Sequence, residues 1–210
     1  VVGQDHITDT LQKAFEKNRI AQAFLFAGPR GIGKTTTARL LAMSLNGSDT
    51  PSVDYDTDSD TVKEIIEGRS MDVVEIDGAS NRGIDEIREL RENIKFMPLS
   101  GKFKVIIIDE VHMLTVQAFN ALLKTLEEPP AHVKFIMATT DIHKVPQTII
   151  SRCQRFDFLP MTNQIIKERL QYISKEESVK IDDESLDLIA IKSEGSMRDA
   201  LGFLDQVLVF

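Results

Sequence analysis

The chain has little cysteine, no long apolar run, no excess of basic charge and no internal repeat. Each shortage closes off a class of protein. One cysteine, Cys153, in 210 residues leaves no partner for an intramolecular disulfide and fits a reducing compartment. No apolar stretch approaches the roughly 20 residues that cross a bilayer, and no secretory n-region and h-region pair opens the chain. These features point to a cytoplasmic protein with no membrane partner. The formal net charge of −8 argues against broad, indiscriminate nucleic-acid binding, although a local basic patch remains compatible with it. The four histidines are scattered, at positions 6, 112, 132 and 143, and none sits in a metal-binding spacing. The start at Val1 rather than Met suggests a trimmed chain.

What is present is an ordinary globular composition, 42% hydrophobic and 28% charged, in a length that buries one good core plus a small appendage. Apolar runs at 23–27, 73–76, 105–108, 133–138 and 155–158 read as strands. Helical spacing covers 7–18, 36–45, 62–67, 84–94, 116–127 and 145–152. Val105-Ile106-Ile107-Ile108 has no polar residue, which marks a central strand covered on both faces. The alternation predicts an α/β fold, a doubly wound parallel sheet with helices on both faces. Residues 47–61 hold five aspartates between Asp49 and Asp60 and read as an acidic surface loop. After Pro160 only helical segments follow, at 165–173, 185–191 and 197–208. The expected division is a first domain at 1–159 and a small all-helical lid domain at 160–210.

The strongest motif is Gly28-Pro29-Arg30-Gly31-Ile32-Gly33-Lys34-Thr35, a complete phosphate-binding loop between a predicted strand and a predicted helix. Its glycines, Gly28, Gly31 and Gly33, let the backbone turn tightly and aim N–H groups inward, where the positive end of the helix also holds an anion. Lys34 reaches terminal phosphates, and the Thr35 hydroxyl is a ligand for Mg²⁺, with Thr36 next to it at the helix start. The second element is the strand ending in Asp109-Glu110. Asp109 is placed to hold Mg²⁺ through water, and Glu110 to orient and polarise an attacking water. The ligand expected is a nucleoside triphosphate with its magnesium.

Thr139-Thr140 closes the next central strand, and Thr140 is the better placed to touch the γ-phosphate or the water. Arg152, in Ser151-Arg152-Cys153, is either a solvated surface charge or a group that stabilises a neighbour's transferring phosphoryl. Arg198 opens the last helix, where an arginine gains nothing from the helix dipole; contact with a bound phosphate explains that position. Ser80 or Asn81 is expected to cap the helix beginning near Ile84, where the free N–H groups and Arg82 suit a phosphate. His112 reads as a hydrogen-bonding neighbour of the acidic pair, and Cys153 as a packing residue.

Taken together, these residues resemble the AAA+ ATPases, and within them the gamma/tau motor family of the bacterial DNA polymerase III clamp loader. The resemblance runs through Val1-Val2-Gly3-Gln4, Gly28 to Thr37, Ala79 to Asp85, Ile108 to Leu114, Asn120 to Pro130 and Thr148 to Cys153. It implies that Arg152 acts in trans on a neighbouring subunit's ATP, that Thr140 and Arg198 are the first and second sensors, and that Val1 and Val2 lie near the adenine. It also implies a ring of clamp-loader subunits, a sliding clamp as partner, and primed DNA held through backbone phosphates. The family's four-cysteine zinc module has no counterpart here: Gly47, Asp56, Ser59 and Val62 stand about where thiolates would fall, so no zinc and a looser loop are expected. Two alternatives stay open: a non-hydrolysing structural subunit of the same assembly, and a branch-migration helicase motor of the same superfamily.

Overall fold

The computed structural model describes residues 1–208. Five strands, β1 (Ala23–Ala27), β2 (Val73–Asp77), β3 (Lys104–Asp109), β4 (Val133–Thr139) and β5 (Gln154–Asp157), form one sheet in the order β2-β3-β4-β1-β5. Every pairing is parallel. Alternate residues of a strand meet opposite faces, and both faces are covered, so β1 and residues 105–108 of β3 are apolar without a break. Ile106 and Ile108 of β3 join Phe135 and Met137 of β4 in one apolar cluster. Val105 and Ile107 join Phe24, Phe26 and Ile136 in the cluster on the other face.

Helices α1 (Asp5–Glu16) and α2 (Lys34–Asn46) cover the second face, through Ile7, Leu11, Phe15, Leu41 and Leu45. Between α2 and β2 lies α3 (Asp60–Ile66). The first face is covered by α4 (Ile84–Asn93), α5 (Val116–Glu127) and the single turn α6 (Gln147–Ile150). The helix expected at 145–152 is therefore shorter. Pro146 lacks an N–H and holds Val145 extended, so the chain makes a 3-10 turn at Ile142–Lys144 and restarts after the proline.

Past β5, helices α7 (Asn163–Glu176), α8 (Asp183–Lys192) and α9 (Met197–Leu208) pack around a cluster of their own that includes Ile166, Leu170, Leu186 and Leu204. Thr162 and Asp182 cap α7 and α8 through their side chains. The joint before α7 is tied to the start of the chain. Fully buried Gln4 donates its amide to the Leu159 carbonyl at 2.7 Å and accepts the Leu159 N–H at 3.2 Å.

Residues 47–61 are more firmly held than the sequence suggests. Tyr55 and Val62 pack with Met43 and Ile65 into a small cluster beneath α2, and Lys102 donates to the Asp49 carbonyl at 3.0 Å. Within the stretch Tyr55 is the side chain that packs, while Val53 stays exposed.

Asp72 organises the approach to β3. Its buried carboxylate accepts N–H groups from Leu99, Ser100 and Gly101 at 2.7–2.8 Å. Burial opposes the charge, but these bonds outweigh it and hold the carboxyl below its usual range. A depressed carboxyl contributes stability above its unfolded pKa and loses it as pH falls through the folded value. Asp72→Ala is expected to cost about 3 kcal/mol in urea unfolding at pH 7, with the gap to wild type closing towards pH 3. A gap constant from pH 7 to pH 3 would sink that account.

Candidate nucleotide site

The carboxyl ends of β1, β3 and β4 converge on one edge of the sheet, the edge where ligands bind in open parallel sheets. The loop after β1 runs straight into α2, whose N-cap is Gly33 in the left-handed region at φ 98°. No side chain caps α2, so its first N–H groups stay free for an anion. Lys34 turns back across the loop and donates Nζ to the carbonyls of Gly28 and Pro29 at 2.8 and 2.5 Å. Burial lowers the Lys34 pKa, while nearby Glu110 and Asp109 favour the charged form and Arg198 opposes it.

The acidic pair stands opposite. Thr35 Oγ1 donates to Asp109 Oδ2 at 2.7 Å, so the loop and the end of β3 are already in contact. Hydroxyl and carboxylate oxygens are the hard donors that Mg²⁺ takes, directly or through the waters it keeps. The donor set therefore fits the ion.

Glu110 follows with φ 46°, a left-handed conformation that a side chain adopts at a cost of about 1–2 kcal/mol. This turn directs its carboxylate across to β4. Oε2 accepts the Thr140 hydroxyl at 2.8 Å and the Thr140 N–H at 3.3 Å, with His112 Nδ1 3.3 Å away. Thr139, the neighbouring hydroxyl, is fully buried and pairs with His112 Nδ1 at 3.0 Å. The two threonines therefore divide the work. Thr140 contacts the acid, and Thr139 fixes the imidazole beside it.

The helical unit closes the other side. Arg198 N–H donates to the Gly31 carbonyl at 3.2 Å, in the first turn of α9. A side chain on Gly31 has no room, because a Cβ there would lie 2.0 Å from Ser196 Oγ. The cleft so formed measures about 610 Å³, within the range of small-ligand sites. Gly31, Gly33, Lys34, Thr35 and Thr36 line it with Asp109, Glu110 and Arg198. Val1 and Val2 line it as well. The sequence reading did not single out Arg169 of α7 or Gly202 and Asp205 of α9, which also line it. The one available signal was spacing, since positions 198, 201, 202 and 205 share a helix face.

Other candidate residues lie outside the cleft. Arg152 projects from the turn after α6, donating to the Thr148 carbonyl at 2.7 Å and to Glu127 Oε1 at 2.8 Å. Cys153, its neighbour, is partly buried, and that burial pushes its thiol up to about 12, which suits packing and not thiolate chemistry. Ser80 and Asn81 do not cap α4; the N-cap is Gly83. Asp77 competes for both, taking the Ser80 hydroxyl at 2.7 Å on its carboxylate and the Asn81 amide at 3.1 Å on its carbonyl. Arg82 remains exposed, with Nε on the Ala79 carbonyl.

Comparisons with known proteins show the family. The family model described as DNA polymerase III, delta subunit, matches residues 3–162, and that of the DNA polymerase III clamp loader subunit, ATPase lid domain, matches residues 165–210. The chain is 51% identical to DNA polymerase III subunit tau of Bacillus subtilis over its whole length, covering 37% of that protein. It is 47% identical to subunit gamma of Buchnera aphidicola, with 99% of this chain and 58% of that protein covered. For subunit tau of Escherichia coli the identity is 46%, with 99% and 32% covered. The chain thus spans between about a third and three-fifths of these relatives. Among solved structures, the Thermotoga maritima RuvB Holliday junction branch migration motor matches with TM-score 0.71 at 20% identity, covering 98% of this chain and 62% of that one. That likeness shows the fold alone. Among the described residues no helix is long and apolar enough to cross a membrane.

Proposed function

The chain belongs to the AAA+ clamp-loader subunits of bacterial DNA polymerase III, alongside gamma and tau, and we propose that it is the ATP-hydrolysing motor of such a loader. In this reading residues 1–159 are the ATPase domain and 160–210 its lid, and the protein works in the bacterial cytoplasm. It assembles with other loader subunits, opens the sliding clamp and places it on primed DNA. The observation that carries the reading is the convergence of phosphate loop, acidic pair and Arg198 on one cleft.

The chemistry follows from the contacts. The free N–H groups of α2 and the Lys34 ammonium hold the β- and γ-phosphates, and Arg198 adds a planar cation from the lid. Thr35 and Asp109 would hold Mg²⁺, which neutralises phosphate charge when bound. Glu110 takes the proton of an attacking water, whose oxygen bonds to the γ-phosphorus as the bond to the β–γ bridging oxygen breaks, releasing ADP and phosphate. Thr140, on the Glu110 carboxylate, is the residue that keeps that base aimed. Val1 and Val2 flank the adenine. Arg152 serves the next subunit's ATP, a role supported by its position away from its own cleft and by its half-exposed carboxylate partner, from which a phosphate can draw it. Ser80, Asn81 and Arg82 form the DNA contact. Of the three, Arg82 is the free cation; Asp77 beneath it disfavours phosphate, so this contact is weak and salt-sensitive.

The test is ATP turnover by the full-length protein assembled with its partners, clamp and primer-template DNA. Glu110→Gln is expected to keep nucleotide binding and lose turnover by about a hundredfold or more. Binding without turnover in every assembled state would identify a structural subunit instead. Stimulation by branched DNA and not by clamp with primed DNA would identify a branch-migration motor.

A further inference from the structure

Gly202 lies in the interior of α9, and no contact within the fold explains it. Its backbone is not among those at positive φ, and a Cβ built there would meet no heavy atom within 4 Å. Gly31, in contrast, has Ser196 pressed against it. A glycine inside a helix is destabilising relative to alanine, so the position carries a cost with no return from packing.

What it faces is the cleft. Arg198, Leu201, Gly202 and Asp205 line it from one face of α9. Arg198 marks the phosphate end, where its N–H meets the Gly31 carbonyl. Gly202 stands one turn further along, about 6 Å on by helix rise. Counted from the β-phosphate, a step of that length reaches a nucleotide's ribose, with the base beyond it. Val1, Val2, Met161 and Ile173 give the cleft apolar wall beside its polar groups, which include Arg169 and Asp205.

We propose that Gly202 is a specificity-determining residue of this site: its missing side chain leaves room for the nucleoside half of a nucleoside triphosphate to lie against the α9 backbone. The inference rests on the nucleotide reading above and assigns one of its walls. A side chain at this position fills the space the ribose and base need, and leaves the phosphate end alone.

The experiment pairs stability with two probes, ATP and inorganic tripolyphosphate, the second lacking a nucleoside. Gly202→Ala is expected to raise the ligand-free Tm by about 2–4 °C, because alanine is the better helix former. The same change should weaken ATP about tenfold, the order expected when a methyl is forced into a filled site, and Gly202→Leu should weaken it further. Tripolyphosphate should bind wild type and both variants equally. ATP binding by Gly202→Leu as tight as wild type would overturn the inference alone. An equal loss of tripolyphosphate would overturn it too, since the lid as a whole would then have moved. Absence of ATP binding in the wild-type chain would remove the nucleotide reading and this inference with it.

Discussion

Lys34→Ala is expected to abolish nucleotide binding in practice, raising the Kd for ATP by about a hundredfold or more in titration calorimetry. Arg30, Arg169 and Arg198 also line the cleft, but Lys34 is the cation at the start of α2. It is almost fully buried, sits at the head of α2, and is held by carbonyls of its own loop. Removing one partner of a buried charge pair costs about 2–5 kcal/mol, and about 2.8 kcal/mol is already a hundredfold. The fold should survive, because the carbonyls of Gly28 and Pro29 face a cleft that water enters. Unfolding curves of the variant should therefore stay close to wild type. Unchanged ATP affinity in a folded Lys34→Ala protein would remove the nucleotide assignment.

Arg152→Ala is expected to leave ATP binding by the isolated chain intact and to lower turnover in the assembled loader by about a thousandfold. An arginine supplied to a phosphoryl-transfer centre contributes about 10³–10⁵ in rate. Its present partner is a weak competitor. The Arg152–Glu127 pair is partly solvated, at 34% and 51% side-chain exposure, and such pairs contribute about 0–1 kcal/mol. Loss of the pair should therefore move stability little, which separates a folding defect from a catalytic one. Normal turnover in the assembled Arg152→Ala complex would end the trans-acting role.

How much of this was legible beforehand depends on how local each cause is. The strands were readable because a sheet buried on both faces demands unbroken apolar runs, and Val105 to Ile108 supplies one. The phosphate loop was readable because its glycines, lysine and threonine are consecutive. Lys134 was not. It interrupts the β4 run with a charge, yet it is buried, and its ammonium donates to the carbonyls of Ile20 and Ala21, more than a hundred residues earlier in the chain. The capping of α4 was misjudged because Asp77, outside the helix, competes for the same side chains. Arg169, Gly202 and Asp205 went unremarked because helix spacing marks a shared face without saying what that face meets.

The clasp between Gln4 and Leu159 has a practical corollary. Because Gln4 is fully buried and fastened to the joint before α7, the segment that carries Val1 and Val2 is anchored beside the cleft they line. A fluorophore attached near that segment would crowd the binding site, whereas Arg19, on the exposed turn after α1, lies clear of the cleft and offers a safer place for one.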